Sequence, residues 1–441
     1  MQDGLRGHLY RFVVRPLLSL LILFAMGIDL CAADLSVTIQ AAKRYDAAYL
    51  AGVAQYQSVL TRESQSLASL LPRLIASGNA TQNAAETSYG NTSQPDVSRN
   101  YTSGGYTVQL TQPLFQMGAI HSYVQSKYLV AQAEAQRTQA ENDLILRVAQ
   151  AYYDVLLALD RLELIRAQKK SISEQLAVAS KSYKVGAGSV TDVEESKAKF
   201  ELVTAQAIEA EAEVENKRQA LATVAGPDIG NPQPVRSNPA FPAGVVDDWM
   251  PKVDGNPSVA AAKAAIDVAE KEISKARAGH YPNLNLVASY SDTLQGPDSN
   301  SSLSTDIRTN NKAVGLQLQI PIFEGGGTQA KVDEATRLRE KARNEYQNVR
   351  RQVILQLNQA FLGIVTGLAQ IKALEAGVAS SEMALKSNTK GYRVGIRTNA
   401  DVLNAMQQLY SAKTDLNRAR YSTWMQHMKL KLSVGEAWDG K

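Results

Sequence analysis

The 441 residues include one cysteine, four histidines, seven phenylalanines and three tryptophans. Cys31 has no thiol to pair with, so no disulfide framework exists. His8, His121, His280 and His427 are far apart, with no H-x-x-x-H and no cysteine cluster, so the sequence offers no metal site. Lys and Arg number 47 against 43 Asp and Glu, a net charge of +4 that makes no case for nucleic acid. No G-x-S-x-G occurs, and "EGGGTQA" (Glu324–Ala330) lacks the Lys-Ser/Thr of a phosphate loop. The expectation is a protein without catalytic residues, cofactor or metal. Long apolar runs are equally scarce. "LLSLLILFAMG" (Leu17–Gly27) follows Arg6, Arg11 and Arg15 and precedes "CAA" and Asp34. That order marks residues 1–33 as a secretory leader cut after about Ala33. Ile28, Asp29 and Leu30 before Cys31 are not the small residues that lipidation needs. Losing the leader removes three Arg and two Asp and leaves a net charge of +3. No later stretch reads as a transmembrane helix.

Proline is missing from about Ala119 to Tyr183 and from about Thr328 to Tyr392. Uninterrupted stretches of that length fit a coiled coil, a repeat or a long bundle. Val148, Tyr152, Val155, Leu159 and Leu162 step by four and three. After a shift, Ile165, Ile172, Leu176, Ala179 and Tyr183 resume the pattern, and Val193 to Val224 continue it. This is the 3.5-residue period of a coiled-coil seam.

The two stretches belong to a duplication. "KSYKVGAGSVTDV" (Lys181–Val193) returns as "KGYRVGIRTNADV" (Lys390–Val402), with Gly186 and Gly395 209 positions apart. Pro72 and Pro282, Pro113 and Pro321, and Gly226 and Gly435 hold nearly the same offset. Each unit reads as a helix, a proline break, a strand, a polar loop (about Gln82–Ser103 and Asp292–Asn311), a second strand, a very long helix, a Val-Gly turn and a last helix. The first helix spans Leu35–Ala68. The first unit covers 34–226, an irregular Pro- and Gly-rich link 227–256, the second unit 257–435, and a tail 436–441. Val-Gly suits the turn because glycine adopts backbone angles that other residues resist.

The strands alternate. Tyr106, Val108 and Leu110 oppose Thr107, Gln109 and Thr111, and Val314, Leu316, Leu318 and Ile320 oppose Gly315, Gln317 and Gln319. An amide-and-hydroxyl face opposite an apolar face suits a barrel with a wet lumen in an outer membrane. Four strands cannot close around a pore, and open edges are not tolerated in lipid, so other copies must complete the sheet. Tyr101, Tyr106, Tyr290 and Phe323 near strand ends are candidates for an interfacial belt. The rival reading is a periplasmic coiled-coil adaptor or rod, which has no use for paired alternating strands at the same place in both halves.

"GHYPNLNLVAS", "VGLQLQIPIFEGGG", "GYRVGIRTNADVLNA" and "LYSAKTDLNRARY" resemble the TolC family of outer-membrane efflux and type I secretion channels, over about Leu35 to Gly435. The resemblance implies an α+β membrane protein: a homotrimer with four strands per protomer in one outer-membrane β-barrel, standing on a long periplasmic α-helical coiled-coil barrel with a mixed belt around its middle. The implied partners are outer-membrane lipid, a periplasmic adaptor (membrane fusion) protein and an inner-membrane transporter of ABC or RND type. Six hairpin tips would form the periplasmic entrance, with adaptor docking at Val185, Gly186, Val394 and Gly395. A gate of polar links between unlike hairpins would involve Tyr392, Arg397, Thr191 and Asp192. Arg397 carries a planar fork for carboxylates and carbonyls, and its counterpart Gly188 is expected to leave it room. Asp401 matches an acidic constriction ring. Asn404 stands where a second Asp is usual, which weakens cation selectivity. Both Asp192 and Asp401 also suit plain helix capping.

Overall fold

The computed structural model describes residues 34–90, 96–227, 229–230, 232–234, 244–298 and 305–436. The leader, the tail beyond 436 and much of the link lie outside the described residues.

The first helix is two helices. α1 (Leu35–Tyr45) and α2 (Ala47–Ala68) meet at Asp46, whose extended backbone (φ −64°, ψ 114°) breaks the run. The Asp46 carboxylate accepts the Tyr49 N–H at 2.7 Å, capping α2, and an Arg147 guanidinium N–H at 2.9 Å. A hydrogen-bonding side chain that competes with the helix ladder explains the break, which apolar spacing alone does not reveal. In the second half the link ends in two 3-10 turns, Val246–Asp248 and Met250–Gly255. Asn256 then caps α5 (Pro257–Arg277) through the Ser258 N–H.

Pro72 and Pro282 precede β1 (Arg73–Thr87) and β3 (Asn283–Gln295). Their partners β2 (Val97–Phe115) and β4 (Ile307–Gln319) return antiparallel, giving one sheet in the order β1-β2-β3-β4. The strands run further than the polar composition suggests. Gln82–Thr87 pair with Val97–Thr102, and Asp292–Gln295 with Ile307–Asn310, inside segments read from sequence as loop. Backbone pairing is indifferent to the hydroxyls and amides that those residues carry, and Asn83 and Ser103 bond across the ladder at 2.7 Å. Pro113 sits at a register shift in β2, where a missing N–H is tolerated.

Two helices dominate the rest. α3 (Met117–Lys184) has 68 residues and α6 (Gly327–Arg393) 67, each about 100 Å long at 1.5 Å per residue. Gly325 and Gly326, at φ 61° and 83°, swing the chain from β4 into α6. α3 folds back as α4 (Val190–Ala225) and α6 as α7 (Asn399–Ser433). The seam of α3 buries Val148, Tyr152 and Val155 against Leu35, Ile39 and Ala42 of α1 and Trp424, Met425 and Met428 of α7. Towards the tip, Leu162, Ile165 and Ile172 meet Val203, Ala207 and Val214 of α4 and Val402, Leu403 and Met406 of α7.

Below Ile165 the seam differs from the apolar reading. Leu176 is only half-buried and Tyr183 is 51% exposed, whereas Gln168 and Gln175 are buried. The packed row is Ile165, Gln168, Ile172, Gln175 and Ala179, the same three-four rhythm carried through two glutamines. Hydrogen bonds to α7 satisfy them, as described below. On the second hairpin, a Cβ at Gly367 would stand 2.2 Å from Thr423 Oγ1, so α6 and α7 touch there only because that side chain is absent.

Candidate periplasmic gate and membrane sheet

Both Val-Gly turns have the same chemistry. Val185 ends α3 and Gly186 takes φ 75°; Val394 ends α6 and Gly395 takes φ 80°. Ala187 N–H returns to Ser182 O and Gly186 N–H to Tyr183 O, and in the second copy Ile396 N–H returns to Gly391 O and Gly395 N–H to Tyr392 O. This double return is the Schellman motif, which satisfies the last carbonyls of a helix and needs a residue tolerant of left-handed angles. The turns leave Val185, Val394 and Ile396 more than 70% exposed, three apolar knuckles at the tip.

Beyond the turns the copies diverge. Ser189 caps α4 by accepting the Thr191 N–H at 3.1 Å. Thr398 caps α7 in a closed box: the Asp401 N–H donates to Thr398 Oγ1 at 3.2 Å, and the Thr398 N–H donates to Asp401 Oδ2 at 3.0 Å. Those bonds, with the Arg397 charge adding to them, hold the Asp401 carboxyl below the usual carboxylate range. Asp192, the counterpart of Asp401, forms no such box. Its carboxylate instead accepts the Tyr392 hydroxyl at 3.4 Å, from one hairpin to the other. Burial, and after it the Asp192 charge, raises the Tyr392 phenol above its ordinary 10.0. Tyr392 is therefore a donor throughout the neutral range, and the link is lost only as pH climbs through that raised value.

Arg397 differs from the sequence expectation. A Cβ at Gly391 would meet Arg397 Cγ at 2.7 Å, so Gly391, on the same hairpin, makes the room for the arginine stem. Gly188 closes on its own hairpin, where a Cβ would meet Ser182 Cβ at 2.9 Å. Each hairpin thus keeps one glycine at this crossing, on opposite sides of the turn. Among the described residues the Arg397 guanidinium makes no hydrogen bond or ion pair. Gly188, Asp192, Tyr392, Arg397 and Asn399 line one cleft of about 700 Å³ between the tips. Thr191 is exposed and touches none of the other three candidate gate residues through a hydrogen bond.

The structure adds residues that motif reading passed over. Asn399 is 1% exposed; it donates to Asp192 O at 3.1 Å and Ser196 Oγ at 3.0 Å, and accepts from Gln175 Nε2 at 2.8 Å. Higher up, Gln168 donates to Gln407 at 3.0 Å and Ser171 meets the Tyr410 hydroxyl at 3.1 Å. The available signal was an asparagine three residues before Val402, on the seam side of a heptad helix.

At the other end of the molecule, register sorts the strand faces. Leu74, Leu110, Ala288 and Val314 align across the sheet, as do Leu286 and Leu316, and Leu284 and Leu318. Gln112, in the Leu286 row, turns its amide back to Leu70 O and Pro113 O. The opposite face carries Thr107, Gln109, Ser289, Ser291, Asn285 and Gln317. Tyr106 and Tyr290 lie ring to ring at 5.9 Å at one end of the apolar band, and Ile322 and Phe323 stand exposed at its other end. Tyr101 pairs with Asn83, five residues from Tyr106 in an unbroken ladder, and so belongs to the polar face rather than to that belt. From Lys312 to Ile322 is about 33 Å of extended chain, or about 25 Å at a 40° tilt, the height of an outer-membrane apolar band. Among the described residues, β1 and β4 each have one unpaired edge.

Comparison with known proteins agrees with this architecture. The family model described as "Outer membrane efflux protein" matches residues 38–227 and 253–436. The chain is 31% identical over 404 residues to the alkaline protease secretion protein AprF of Pseudomonas aeruginosa, covering 88% of this chain and 82% of AprF. It is 28% identical over 430 residues to the outer membrane protein TolC of Vibrio cholerae, covering 96% of each. The crystal structure of the outer membrane protein VceC from Vibrio cholerae superposes with a TM-score of 0.75 at 20% identity, covering 91% of this chain and 96% of that one. Four strands that leave their sheet open, hung on two hairpins about 100 Å long, are the protomer of that fold, and the chain belongs to the outer membrane efflux protein family of TolC-like channels.

Proposed function

We propose that three copies form one passive export duct through the outer membrane and periplasm. The observation that carries this reading is the open sheet. Its apolar face suits lipid, yet β1 and β4 each present a row of unpaired backbone groups that a bilayer does not tolerate. Twelve strands from three copies remove every edge. The helices support the same assembly. α6 carries a long apolar stretch that is mostly exposed in one chain. Its exposed Leu355, Leu362 and Val365 form a face that another copy covers in the tunnel. An isolated periplasmic rod leaves both features without purpose.

Substrate then moves through water, and energy comes from an inner-membrane transporter of ABC or RND type joined through a periplasmic adaptor. The apolar knuckles Val185, Val394 and Ile396, beside Gly186 and Gly395, are the adaptor's docking points. Tyr392, Arg397 and Asp192 hold the entrance shut, with Thr191 at its margin. AprF is named for protease secretion, so a secreted polypeptide is the cargo to test first. The test of the assembly is a native mass measurement on gently solubilised protein, paired with single-channel recording. A three-chain particle that conducts is expected; a conducting monomer overturns the reading.

Asp401 supplies a second measurement. Three copies place three carboxylates at the entrance, a ring that binds multivalent cations. Six-coordinate trivalent cations added from the periplasmic side are expected to block the wild-type channel, and Asp401→Asn to lose most of that block. Because capping holds this carboxyl below the usual range, block persists on acidification past an ordinary aspartate's titration and disappears only as pH falls through the lowered value. Equal block in Asp401→Asn removes the residue from the constriction.

A further inference from the structure

The side chain of Asn399 has no role in its own helix. Thr398 and Asp401 already close the capping box of α7. Asn399 instead spends its whole amide on the other hairpin: Oδ1 takes a hydrogen bond from Gln175 of α3, and Nδ2 gives two, to Ser196 Oγ and Asp192 O of α4. Asn399, Ser196 and Gln175 are 1%, 0% and 5% exposed. One side chain therefore staples the second hairpin to both helices of the first, through side chains that are all buried. It is a layer inward from the Tyr392–Asp192 link, and it holds Asp192 by the backbone while Tyr392 holds it by the carboxylate.

We propose that Asn399, with Gln175 and Ser196, is a second, buried latch of the entrance. This rests on the reading of the tips as a gate. Opening slides α7 away from α3 and α4, so these bonds must break together. In the closed state a buried amide left without its partner is penalised in full, whereas the same group exposed on opening is hydrated. The latch therefore acts by making the closed state depend on all three residues at once. Removing one member favours opening. Replacing all three by apolar groups removes the unsatisfied atoms and restores a closed, packed seam like that of the neighbouring Val402, Leu403 and Ile172.

The experiment is single-channel recording in planar bilayers on the full-length trimer, with Tyr392, Arg397 and Asp192 left intact. Asn399→Leu is expected to raise the open-to-closed ratio roughly tenfold or more. Ser196→Ala, which removes one hydroxyl and leaves the fold undisturbed, is expected to raise it less. Asn399→Leu with Gln175→Leu and Ser196→Ala is expected to return it to near the wild-type level, a rescue that a merely weakened structure would not give. Tyr392→Phe/Arg397→Ser is recorded alongside. If that variant opens while Asn399→Leu and Ser196→Ala conduct as wild type, the latch is wrong and the gate stands. If none of them opens, the gate reading fails and the latch with it. A triple variant more open than Asn399→Leu also overturns the latch.

Discussion

Tyr392→Phe combined with Arg397→Ser is expected to produce trimers whose single-channel conductance in planar bilayers is several-fold above wild type, with long openings replacing a mostly closed trace. Phe keeps the ring against the packed cluster around Leu403 and Met406 and deletes only the hydroxyl that reaches Asp192 at 3.4 Å. Serine deletes a guanidinium that makes no hydrogen bond or ion pair within its own chain, among the described residues, and so is available to a neighbouring copy. Each protomer loses about 1 kcal/mol of net hydrogen bonding. Three protomers that open together lose about 3 kcal/mol, which shifts the open-to-closed ratio about a hundredfold. Neither substitution touches the Schellman turns, so trimer yield and thermal stability are expected to stay at wild type. A double variant that assembles normally and conducts as before takes both residues out of the gate. Asp192→Asn is the companion measurement. It keeps the backbone carbonyl that Asn399 holds but removes the carboxylate charge, so its opening should fall short of the double variant's.

Much of this architecture was legible in the residues, for reasons that differ from element to element. The long helices announce themselves because nothing breaks them: no proline falls between Met117 and Lys184, and the apolar rhythm from Val148 to Leu162 fixes which side packs. The turns were legible because Gly186 and Gly395 repeat in register and no other residue type takes a φ of 75° or 80° so cheaply. What resisted reading was polar. Asp46 splits a helix with one carboxylate, and a hydrophobic pattern does not register a cap that lies in the middle of it. Gln168 and Gln175 sit in the seam because partners on α7 satisfy them, and those partners are more than 200 residues away. The strands outran their apolar cores because pairing beyond Gln82 and Asp292 is a backbone matter. Arg397 was recognised as the odd member of the duplicated turn. The glycine that houses it, Gly391, was missed because its counterpart across the repeat is Ser182 and the compensating glycine had moved to position 188. The capping and gating readings of the two aspartates divide between the copies in geometry: Asp401 closes a capping box, while Asp192 is left to face Tyr392.

Leu316→Arg is expected to abolish the outer-membrane trimer, while Gln317→Arg, one residue away, leaves it intact. Leu316 is 67% exposed in the single chain and pairs with Leu286 in the middle of the apolar band; Gln317 pairs with Asn285 on the opposite face. An arginine near the midplane of the lipid face costs about 2–4 kcal/mol, and a trimer carries three, so the assembled barrel loses about 6–12 kcal/mol. That is of the order of a whole domain's stability. The expected readout is loss of the chain from the outer-membrane fraction, with degradation in the periplasm, while circular dichroism of the refolded variant keeps the helical signal of α3, α4, α6 and α7. Gln317→Arg should insert, assemble and shift ion selectivity towards anions, because three added cations then line water rather than lipid. The pair reads the parity of β4 directly, since a one-residue change of register exchanges the two outcomes. Equal tolerance of both substitutions places neither face in lipid and removes the membrane barrel itself, whatever the helices do. Loss of assembly in Gln317→Arg alone reverses the faces, and with them the assignment of Thr107, Gln109 and Ser289 to the lumen.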